Sequence, residues 1–416
     1  MSAFDKVIGY ESIKAELIRY CDVLRNPEKY WKLGVKRPSG ILLYGEPGIG
    51  KTLMAEAFIE ESGCKAFVLR KNKPDGSFVD EIRETFKTAA SHAPCIVFLD
   101  DMDKYANEDM KHRDADEYVS IQSCIDEVRG KCIFVIATVN DKYCLPDSLL
   151  RVGRFDKVIE MENPYGDDAV RIIEHYLRQK QVMGNINARD VARILKGRTC
   201  AELENAINEA GIYAGYEGRD KIEQKDIIKA CMRVVFDYPE GEVCDSPEFE
   251  RNVAVHEAGH ALVSEYFDRG SVSLISVHGR PHSFEGVTIT GKGDTFFFKK
   301  QKEEEVICKL AGKAATEMVF GIADQGCSLD VSLAFDMVCD MVDDFCCFGF
   351  NSFEQREPSG FVLENRDRLS AVEMERCYQK AKKIIAENRG KLDALVEALL
   401  KQKTLMSEEI AKIMAA

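Results

Sequence analysis

Two histidines and a glutamate in the pattern His-Glu-x-x-His are the residues of this sequence best suited to metal chemistry. They are His256, Glu257 and His260, and apolar residues surround them in the sequence. Residues four apart lie on one face of a helix, so both imidazoles can bind the same ion. Zinc accepts such nitrogen ligands and, in catalytic sites, keeps one position open for water. We expect Glu257 to take the proton from that water once the metal has made it acidic.

A helix must carry this motif, and two strands are predicted beside it. Ser246-Pro247 suits an N-cap followed by the first helical position, and the helix is expected to reach about Phe267. The alternating stretches 272–277 and 286–290 predict strands. An edge strand next to the metal can pair with an extended substrate backbone, although a hairpin that only packs fits the same pattern.

The motif supplies two ligands, and a third protein ligand is needed. The candidates are two histidines in the connection between the strands and four carboxylates further along the chain: His278, His282, Glu317, Asp330, Asp336 and Asp340. Asp330 lies near the start of a predicted helix, but spacing alone does not decide among these residues.

A glycine-rich loop in the first half of the chain has the residue types that bind nucleotide phosphates. It follows a short apolar run, a predicted buried strand, and precedes a predicted helix whose positive end faces the phosphates. Lys51 is expected to reach the β- and γ-phosphates of ATP, and the Thr52 hydroxyl is expected to bind Mg²⁺. The predicted nucleotide-binding residues of this segment are Gly45, Glu46, Pro47, Gly48, Ile49, Gly50, Lys51, Thr52 and Leu53.

Polar residues at the ends of two further apolar runs complete the predicted ATP site. Asp100 is expected to hold Mg²⁺ through water. Asp101 occupies the position of the glutamate that polarises the attacking water in many ATPases, and its shorter side chain predicts slow hydrolysis or a shifted water. The amide of Asn140 is expected to orient that water, and a plain turn asparagine is the alternative.

Two arginines, Arg151 and Arg154, follow this strand–helix unit. Their spacing suits fingers that act on the γ-phosphate of a neighbouring subunit, and two ordinary surface arginines are the alternative. Together with the P-loop and the carboxylates, the pair resembles the AAA+ family, which implies a ring that is usually a hexamer. The helical spacing from about 165 to 236 resembles the small helical lid of an AAA+ module.

Composition narrows the class of protein. The chain has 416 residues, of which 45% are hydrophobic and 31% charged, as expected for a globular protein of two to three domains. Its net charge of −14 argues against a nucleic-acid partner, since phosphate contacts need a basic surface. The fifteen cysteines form no CxxC pair and no signal peptide is recognised, which predicts reduced thiols and a cytoplasmic location. No apolar run approaches the roughly 20 residues of a membrane helix.

Nearly the whole chain resembles the FtsH-type AAA+ ATP-dependent zinc metalloproteases. The matching segments occur in the family's order: FDKVIGY (4–10), the P-loop, APC (93–95), the Arg151/Arg154 segment, HEAGHALV (256–263), LAGKAA (310–315), VFG (319–321) and AENR (386–389). The resemblance implies a ring ATPase that unfolds proteins and feeds them to zinc sites, with ATP, Mg²⁺ and Zn²⁺ as cofactors. It implies Asp330 as the third zinc ligand, and Ile8 and Gly9 as part of the adenine pocket.

Two features depart from that family. Its usual N-terminal membrane helices have no counterpart in this sequence, which predicts a soluble protein. The family's aromatic–hydrophobic–glycine pore loop, which grips substrate, is replaced at the corresponding position by Pro74-Asp75-Gly76, and the nearest aromatic residue is Phe78. The replacement argues against translocation of substrate by an aromatic side chain.

These observations predict an α/β P-loop AAA+ module with a helical lid, followed by a mainly helical zinc metallopeptidase domain. The expected boundaries are 1–162 for the large nucleotide-binding domain, 163–238 for the lid and 245–416 for the peptidase. The expected function is ATP-dependent degradation of protein substrates by a homo-hexamer. The alternatives are an AAA+ remodeller with a structural peptidase half and a zinc peptidase in which ATP serves only assembly.

Overall fold

The computed structural model describes residues 2–71, 77–106, 115–151, 153–183, 186–236, 246–277, 286–291, 298–322, 325–350 and 358–416. The chain divides into two compact units. The first comprises Met1–Gly184 and Gly197–Asp226, and the second comprises Asn185–Lys196 and Ile227–Ala416. The domain boundaries expected at 162/163 and 238/245 stay predictions.

A parallel sheet organises the first unit. Its strands are β1 (Gly40–Tyr44), β2 (Lys65–Leu69), β3 (Cys95–Leu99), β4 (Ile133–Val139) and β5 (Lys157–Glu160). They lie in the order β2-β3-β4-β1-β5, and neighbouring strands run parallel. β3 and β4 are buried along their whole length, as expected for a parallel sheet covered on both faces, which explains their continuous apolar runs. The carboxyl ends of β1, β3 and β4 therefore meet at one edge of the sheet.

Helices pack on both faces of this sheet. Neighbouring residues of a strand point to opposite faces, so Ile41 and Leu43 join a core with residues of α1 and α3 while Leu42 joins a core with residues of α4 and α5. The helices of this unit are α1 (Glu11–Arg25), α2 (Pro27–Trp31), α3 (Lys51–Ser62), α4 (Phe78–Ala90), α5 (Ala115–Glu127), α6 (Gly166–Arg178) and α8 (Cys200–Tyr216). Short 3₁₀ turns occur at Ala3–Lys6, Met102–Lys104 and Lys142–Cys144.

The second unit is mainly helical. It contains α7 (Ala188–Ile194), α10 (Pro247–Phe267), α11 (Lys299–Phe320), α12 (Ser328–Asp343), α13 (Gly360–Glu387), α14 (Arg389–Gln402) and α15 (Ser407–Ala415), with a 3₁₀ turn at Gln325–Cys327. The helix α9 (Gln224–Phe236) begins in the first unit and continues in the second. The predicted start and end of the motif helix α10 are confirmed, and the Ser246 hydroxyl accepts from the backbone N–H of Phe249.

One apolar core holds the second unit together. Buried residues of α10, α11, α12, α13 and α14 contribute to it, and α10 packs against α11, α13 and α14. The contact between α10 and α11 is very close at Gly259. A Cβ there would lie 2.7 Å from the carbonyl oxygen of Ala311 and 2.6 Å from the Cβ of Ala315. The two helices therefore touch backbone to backbone at this point.

A small antiparallel sheet accompanies these helices. Its strands are β6 (Val272–Ser276), β7 (Val287–Thr290) and β8 (Thr404–Met406), in the order β7-β6-β8. The two strands predicted beside the motif helix, β6 and β7, are thereby confirmed. Among the described residues, β7 is an edge strand of this sheet. The parallel sheet of the first unit and the helical second unit confirm the predicted fold class. Within the described part of the chain, no helix is both long and apolar enough to cross a bilayer.

Candidate functional site

The loop between β1 and α3 has the backbone shape that wraps phosphate groups. Its Gly45, Gly48 and Gly50 have φ angles of +148°, +84° and +94°, a region that other residues rarely adopt. A Cβ on Gly45 would lie 2.1 Å from the carbonyl oxygen of Met161, so backbone already fills that space. Backbone N–H groups in such a loop, at the N-terminus of a helix, bind anions.

The Lys51 ammonium lies inside this loop. It donates to the carbonyl oxygens of Gly45 and Glu46, both at 2.8 Å, and to Oδ1 of Asn140 at 3.0 Å. The Asn140 amide in turn donates to Oδ2 of Asp103 at 2.9 Å. Burial lowers the pKa of Lys51, although nearby carboxylates oppose the shift. The structure thus brings together the lysine and the asparagine that are expected at the γ-phosphate.

The side chain of Asp100 is buried beyond the end of β3 and has three partners. Its Oδ1 accepts from the hydroxyls of Thr52 at 3.0 Å and Thr138 at 2.8 Å. Its Oδ2 forms an ion pair with Arg70, which follows β2. A threonine hydroxyl and an aspartate in contact beside a P-loop are the ligand types that Mg²⁺ takes in such sites. The residues therefore fit a nucleotide with its magnesium ion.

Asp101 adopts a left-handed backbone conformation, with φ of +50°. Its N–H donates to the Thr138 hydroxyl at 2.9 Å, which fixes the turn beside Asp100. Its carboxylate, however, lies 2.6 Å from the ammonium of Lys104. Asp101 is therefore at the predicted place, but its charge is already paired.

The segment that contains Ile8 and Gly9 is connected to the P-loop through the next residue. The hydroxyl of Tyr10 lies 3.2 Å from the carbonyl oxygen of Ile49 and 3.0 Å from that of Glu162. Burial raises the pKa of Tyr10, so the hydroxyl stays protonated and can donate. The structure therefore brings the segment of Ile8 and Gly9 close to the phosphate loop, and the adenine pocket stays a prediction.

The two predicted arginine fingers differ in their surroundings. Nε and Nη2 of Arg154 bind the two carboxylate oxygens of Asp126, at 3.0 and 2.7 Å, and Nη1 contacts the carbonyl oxygen of Ser148. This pairing lowers the pKa of Asp126. Arg151 is exposed. The structure therefore engages Arg154 within the chain and leaves Arg151 accessible from outside.

We expect Arg154→Ala to destabilise the protein by about 1–2 kcal/mol, because a forked, partly buried ion pair is lost. Arg151→Ala is expected to leave stability unchanged and to lower ATP turnover of the assembled protein. Urea unfolding measures the first effect and steady-state phosphate release the second. Asp126→Asn is the matched control, because it should lower the free energy of unfolding about as much as Arg154→Ala. The double variant should be little less stable than either single variant. Equal destabilisation by the two arginine variants would contradict this assignment.

In the second unit, two helices bring the predicted metal ligands together. His256 and His260 lie on α10, and Asp330 lies in the first turn of α12. The Nε2 atoms of the histidines are 3.0 Å apart, and Oδ2 of Asp330 lies 3.1 Å from the first and 3.2 Å from the second. All three ligand atoms lie within 4.8 Å of one another. Two imidazole nitrogens and one carboxylate oxygen match the donor set of a catalytic zinc site.

The helix α11 holds these ligands in place. Nδ1 of His260 donates to the carbonyl oxygen of Cys308 at 2.7 Å, which leaves Nε2 for the metal. A Cβ on Gly312 would lie 2.5 Å from Nε2 of both His256 and His260, so the backbone of α11 passes directly beside the ligand atoms. Burial alone would raise the pKa of Asp330, but its contacts with the histidines hold that pKa well below its usual range.

The predicted base Glu257 is 7% exposed and lies beside the edge strand. Its Oε2 accepts from the hydroxyl of Thr288, a residue of β7, at 2.7 Å. The same hydroxyl lies 3.1 Å from the carbonyl oxygen of Glu257. An extended peptide that pairs with β7 would therefore pass close to the carboxylate.

The other third-ligand candidates do not join this cluster. Glu317 accepts hydrogen bonds from Tyr378, from Lys382 at 2.9 Å and from Lys313 at 3.1 Å, and these bonds lower its pKa to about 2. The alternatives Asp336 and Asp340 are exposed on α12. His278 and His282 are not among the residues that the structure describes.

Comparisons with known proteins decide the family. Residues 41–163 match the ATPase family associated with various cellular activities (AAA), and residues 244–413 match peptidase family M41. The chain is similar to the ATP-dependent zinc metalloprotease FtsH of Thermotoga maritima, with 31% identity over 99% of this chain and 73% of that protein. FtsH 2 of Symbiobacterium thermophilum is also 31% identical, over 99% and 74%, and FtsH of Bacillus subtilis is 28% identical, over 98% and 69%.

The chain belongs to the FtsH family. The resemblance predicted from the motifs is thereby confirmed for both halves of the chain. The roles of individual residues in this FtsH chain stay predictions. The position of the family's pore loop, Pro74-Asp75-Gly76, falls in a stretch that the structure leaves undescribed.

Several residues of these FtsH sites were not predicted from the sequence. Arg70 and Thr138 contact Asp100, and Thr288 contacts Glu257. Arg70 follows β2 and Thr138 belongs to the end of β4, so a search of the carboxyl ends of all parallel strands would have found both. Thr288 lies on β7, a strand for which the sequence predicted only pairing with a substrate backbone. The carbonyl oxygen of Cys308 has no sequence signal, because every residue has one.

Proposed function

We propose that this FtsH protein is an ATP-dependent zinc metalloendopeptidase that unfolds proteins and degrades them in a homo-hexameric ring. The observation that carries the proposal is the convergence of His256, His260 and Asp330 beside the buried Glu257. The P-loop with Lys51 on the same chain supplies the ATP dependence. Membership of peptidase family M41 supports proteins as the substrates.

The peptidase residues divide the work of hydrolysis. His256, His260 and Asp330 would hold a zinc ion, which would supply a Lewis acid to acidify water and polarise the scissile carbonyl. Glu257 takes the proton of the attacking water and passes it to the leaving amine. Thr288 holds the carboxylate of Glu257 in one orientation, and the Cys308 carbonyl oxygen holds the imidazole of His260. Pairing of a substrate with β7 brings an extended backbone to these groups.

The nucleotide residues have equally distinct tasks. Lys51 exchanges its contacts with carbonyl oxygens for contacts with the phosphates of ATP. Thr52 would bind Mg²⁺, Asp100 would hold the ion through water, and Asn140 orients the attacking water. Ile8 and Gly9 contribute to the adenine pocket.

Ring assembly completes the ATP site in this proposal. Arg151 acts on the γ-phosphate bound by a neighbouring subunit. Its exposure leaves it accessible to that subunit. Arg154 lies three residues further along the chain, and its ion pair with Asp126 holds this part of the chain against α5. Such a division keeps ATP hydrolysis low until a neighbour is in place.

Degradation of a stably folded, labelled protein and of an unfolded one tests the proposal. Each substrate is incubated with the zinc-loaded enzyme and ATP, a non-hydrolysable ATP analogue, or no nucleotide. We expect the folded substrate to be degraded only with ATP, because unfolding needs hydrolysis. Lys51→Ala is the control that keeps the zinc site and loses the ATP effect. No cleavage of either substrate, despite bound zinc and ATP turnover, would favour a remodelling ATPase instead.

The ion pair between Asp101 and Lys104 favours a second candidate. If that carboxylate stays paired, hydrolysis is slow and nucleotide serves mainly to assemble the ring around zinc peptidase sites. This candidate predicts that the unfolded substrate is cleaved equally with ATP and with the analogue. It also predicts that the folded substrate survives in every condition.

A further inference from the structure

A cavity with a mixed lining lies at the amino ends of β1 and β4, at the opposite end of these strands from the P-loop, and Ile125, Val128, Ile133 and Val135 form its apolar part. Its volume is about 220 Å³. The residues of the lining that matter for binding of a polar ligand are Trp31, Arg37, Ser39, Arg129, Cys132 and Gly153. No acidic side chain is among the described residues that line it.

Arg37 is the unusual member of this lining. Its Nε and Nη2 atoms are buried and have no hydrogen-bond partner in the described structure. Buried N–H donors without an acceptor are unfavourable, because the lost hydration is not replaced. Native structures rarely leave such donors unsatisfied unless a ligand, an ion or water completes the site.

Arg129 lies in the same cavity, against the backbone of Gly153. A Cβ at Gly153 would lie 2.3 Å from Nη2 of Arg129, so the guanidinium occupies the space that a side chain would take. Two carboxylates of the neighbouring segments, Asp126 and Asp156, have other hydrogen-bond partners. Asp156 accepts from the backbone N–H groups of Ser39 at 2.5 Å and Gly153 at 2.7 Å, and Asp126 is held by Arg154.

We propose that this cavity binds a small phosphate-bearing anion, held by Arg37 and Arg129. Planar guanidinium groups bind phosphate oxygens through paired N–H donors, and arginine is favoured wherever this geometry matters. The volume admits a phosphate or pyrophosphate group with a small organic part, and is below that of sites for drug-sized ligands. Trp31, 58% exposed, lies at the rim and can cover a bound group. Gly153 also belongs to the segment between Arg151 and Arg154, so the occupant contacts the segment that we assign to the neighbouring subunit's ATP.

The single tryptophan of the chain provides a direct test, because Trp31 is that residue. The Lys51→Ala variant of the whole 416-residue chain, in which phosphate binding at the P-loop is suppressed, is titrated with pyrophosphate and, in a second arm, with inorganic phosphate at constant ionic strength. We expect a saturable change in tryptophan fluorescence and a rise in the unfolding temperature. Arg37→Met should weaken binding by at least about tenfold, since it removes one of the two guanidinium forks. Lys36→Met is the matched control, with the same loss of charge at an exposed neighbour, and should bind like its parent.

The unfolding temperature without ligand shows whether the Arg37→Met variant is folded. Removal of two buried donors without an acceptor should leave Arg37→Met at least as stable as its parent in phosphate-free buffer, and only the parent should gain stability from pyrophosphate. No saturable change at millimolar pyrophosphate would overturn the proposal. Equal binding by the Arg37→Met and Lys36→Met proteins would overturn it as well. Loss of the ring in Arg37→Met without any anion binding by the parent would instead assign Arg37 to a carboxylate of a neighbouring subunit.

Discussion

Glu257→Gln is expected to lower peptide cleavage by about 10²–10⁴-fold, the usual contribution of a general base. The amide keeps the size of the side chain and its hydrogen bond with the Thr288 hydroxyl, but it cannot take a proton from water. Zinc binding and ATP turnover should persist, because the substitution leaves His256, His260 and the P-loop intact. Cleavage of a short unstructured peptide, which needs no unfolding, measures the effect. Zinc content and phosphate release are determined on the same sample.

A second substitution distinguishes the proton transfer by Glu257 from the positioning of its carboxylate by Thr288. Thr288→Val keeps the base and removes the hydroxyl that binds it at 2.7 Å. We expect a loss of cleavage of about tenfold, because the carboxylate keeps its chemistry and loses a fixed orientation. A Glu257→Gln protein that cleaves at the rate of its parent would remove this residue from the mechanism. Loss of zinc in that variant would show instead that the change disturbs the metal site.

Asp330→Asn is expected to lower zinc affinity by at least about 100-fold, because even indirect partners of a ligand contribute 10- to 100-fold. An amide oxygen carries no charge to balance the ion, whereas the carboxylate lies 3.1 and 3.2 Å from the two imidazoles. Peptide cleavage should disappear at limiting zinc and recover in part at high zinc. Metal content after dialysis against a chelator of known affinity measures the loss.

Two other carboxylates serve as controls for this result. Asp336→Asn changes an exposed residue of the same helix and should keep zinc and cleavage. Glu317→Gln removes the charge that Lys313 and Lys382 bind, so it should lower the stability of the second unit and spare the metal. If Glu317→Gln lost zinc while Asp330→Asn retained it, the ligand assignment would be wrong.

The sequence predicted well wherever a function depends on residues that are close along the chain. The P-loop, the pair Asp100-Asp101 and the spacing of His256 and His260 are local patterns, and the structure has each of them on the element that was expected. The α/β character of the first unit follows from short apolar runs that end in polar residues. The start of α10 follows from Ser246-Pro247.

The sequence predicted less where a contact joins distant segments. From spacing alone, Asp330 was one of six candidates for the third ligand, because 70 residues separate it from His260 and only the packing of α10, α11 and α12 brings them together. The difference between Arg151 and Arg154 has the same origin. It depends on Asp126, a residue of α5 that lies 28 positions before Arg154 in the chain.

The contact between α10 and α11 limits how this peptidase can change over evolution. In most helices alanine is more favourable than glycine by about 1 kcal/mol, yet here an added methyl group at Gly259 or Gly312 meets backbone or the metal ligands. Larger residues on either helix require the two backbones to separate, and that separation also moves the histidines away from Asp330. Mutations that repack this contact therefore alter catalysis at the same time. Sequence drift and engineering are consequently freer on the solvent faces of these helices than along their shared contact.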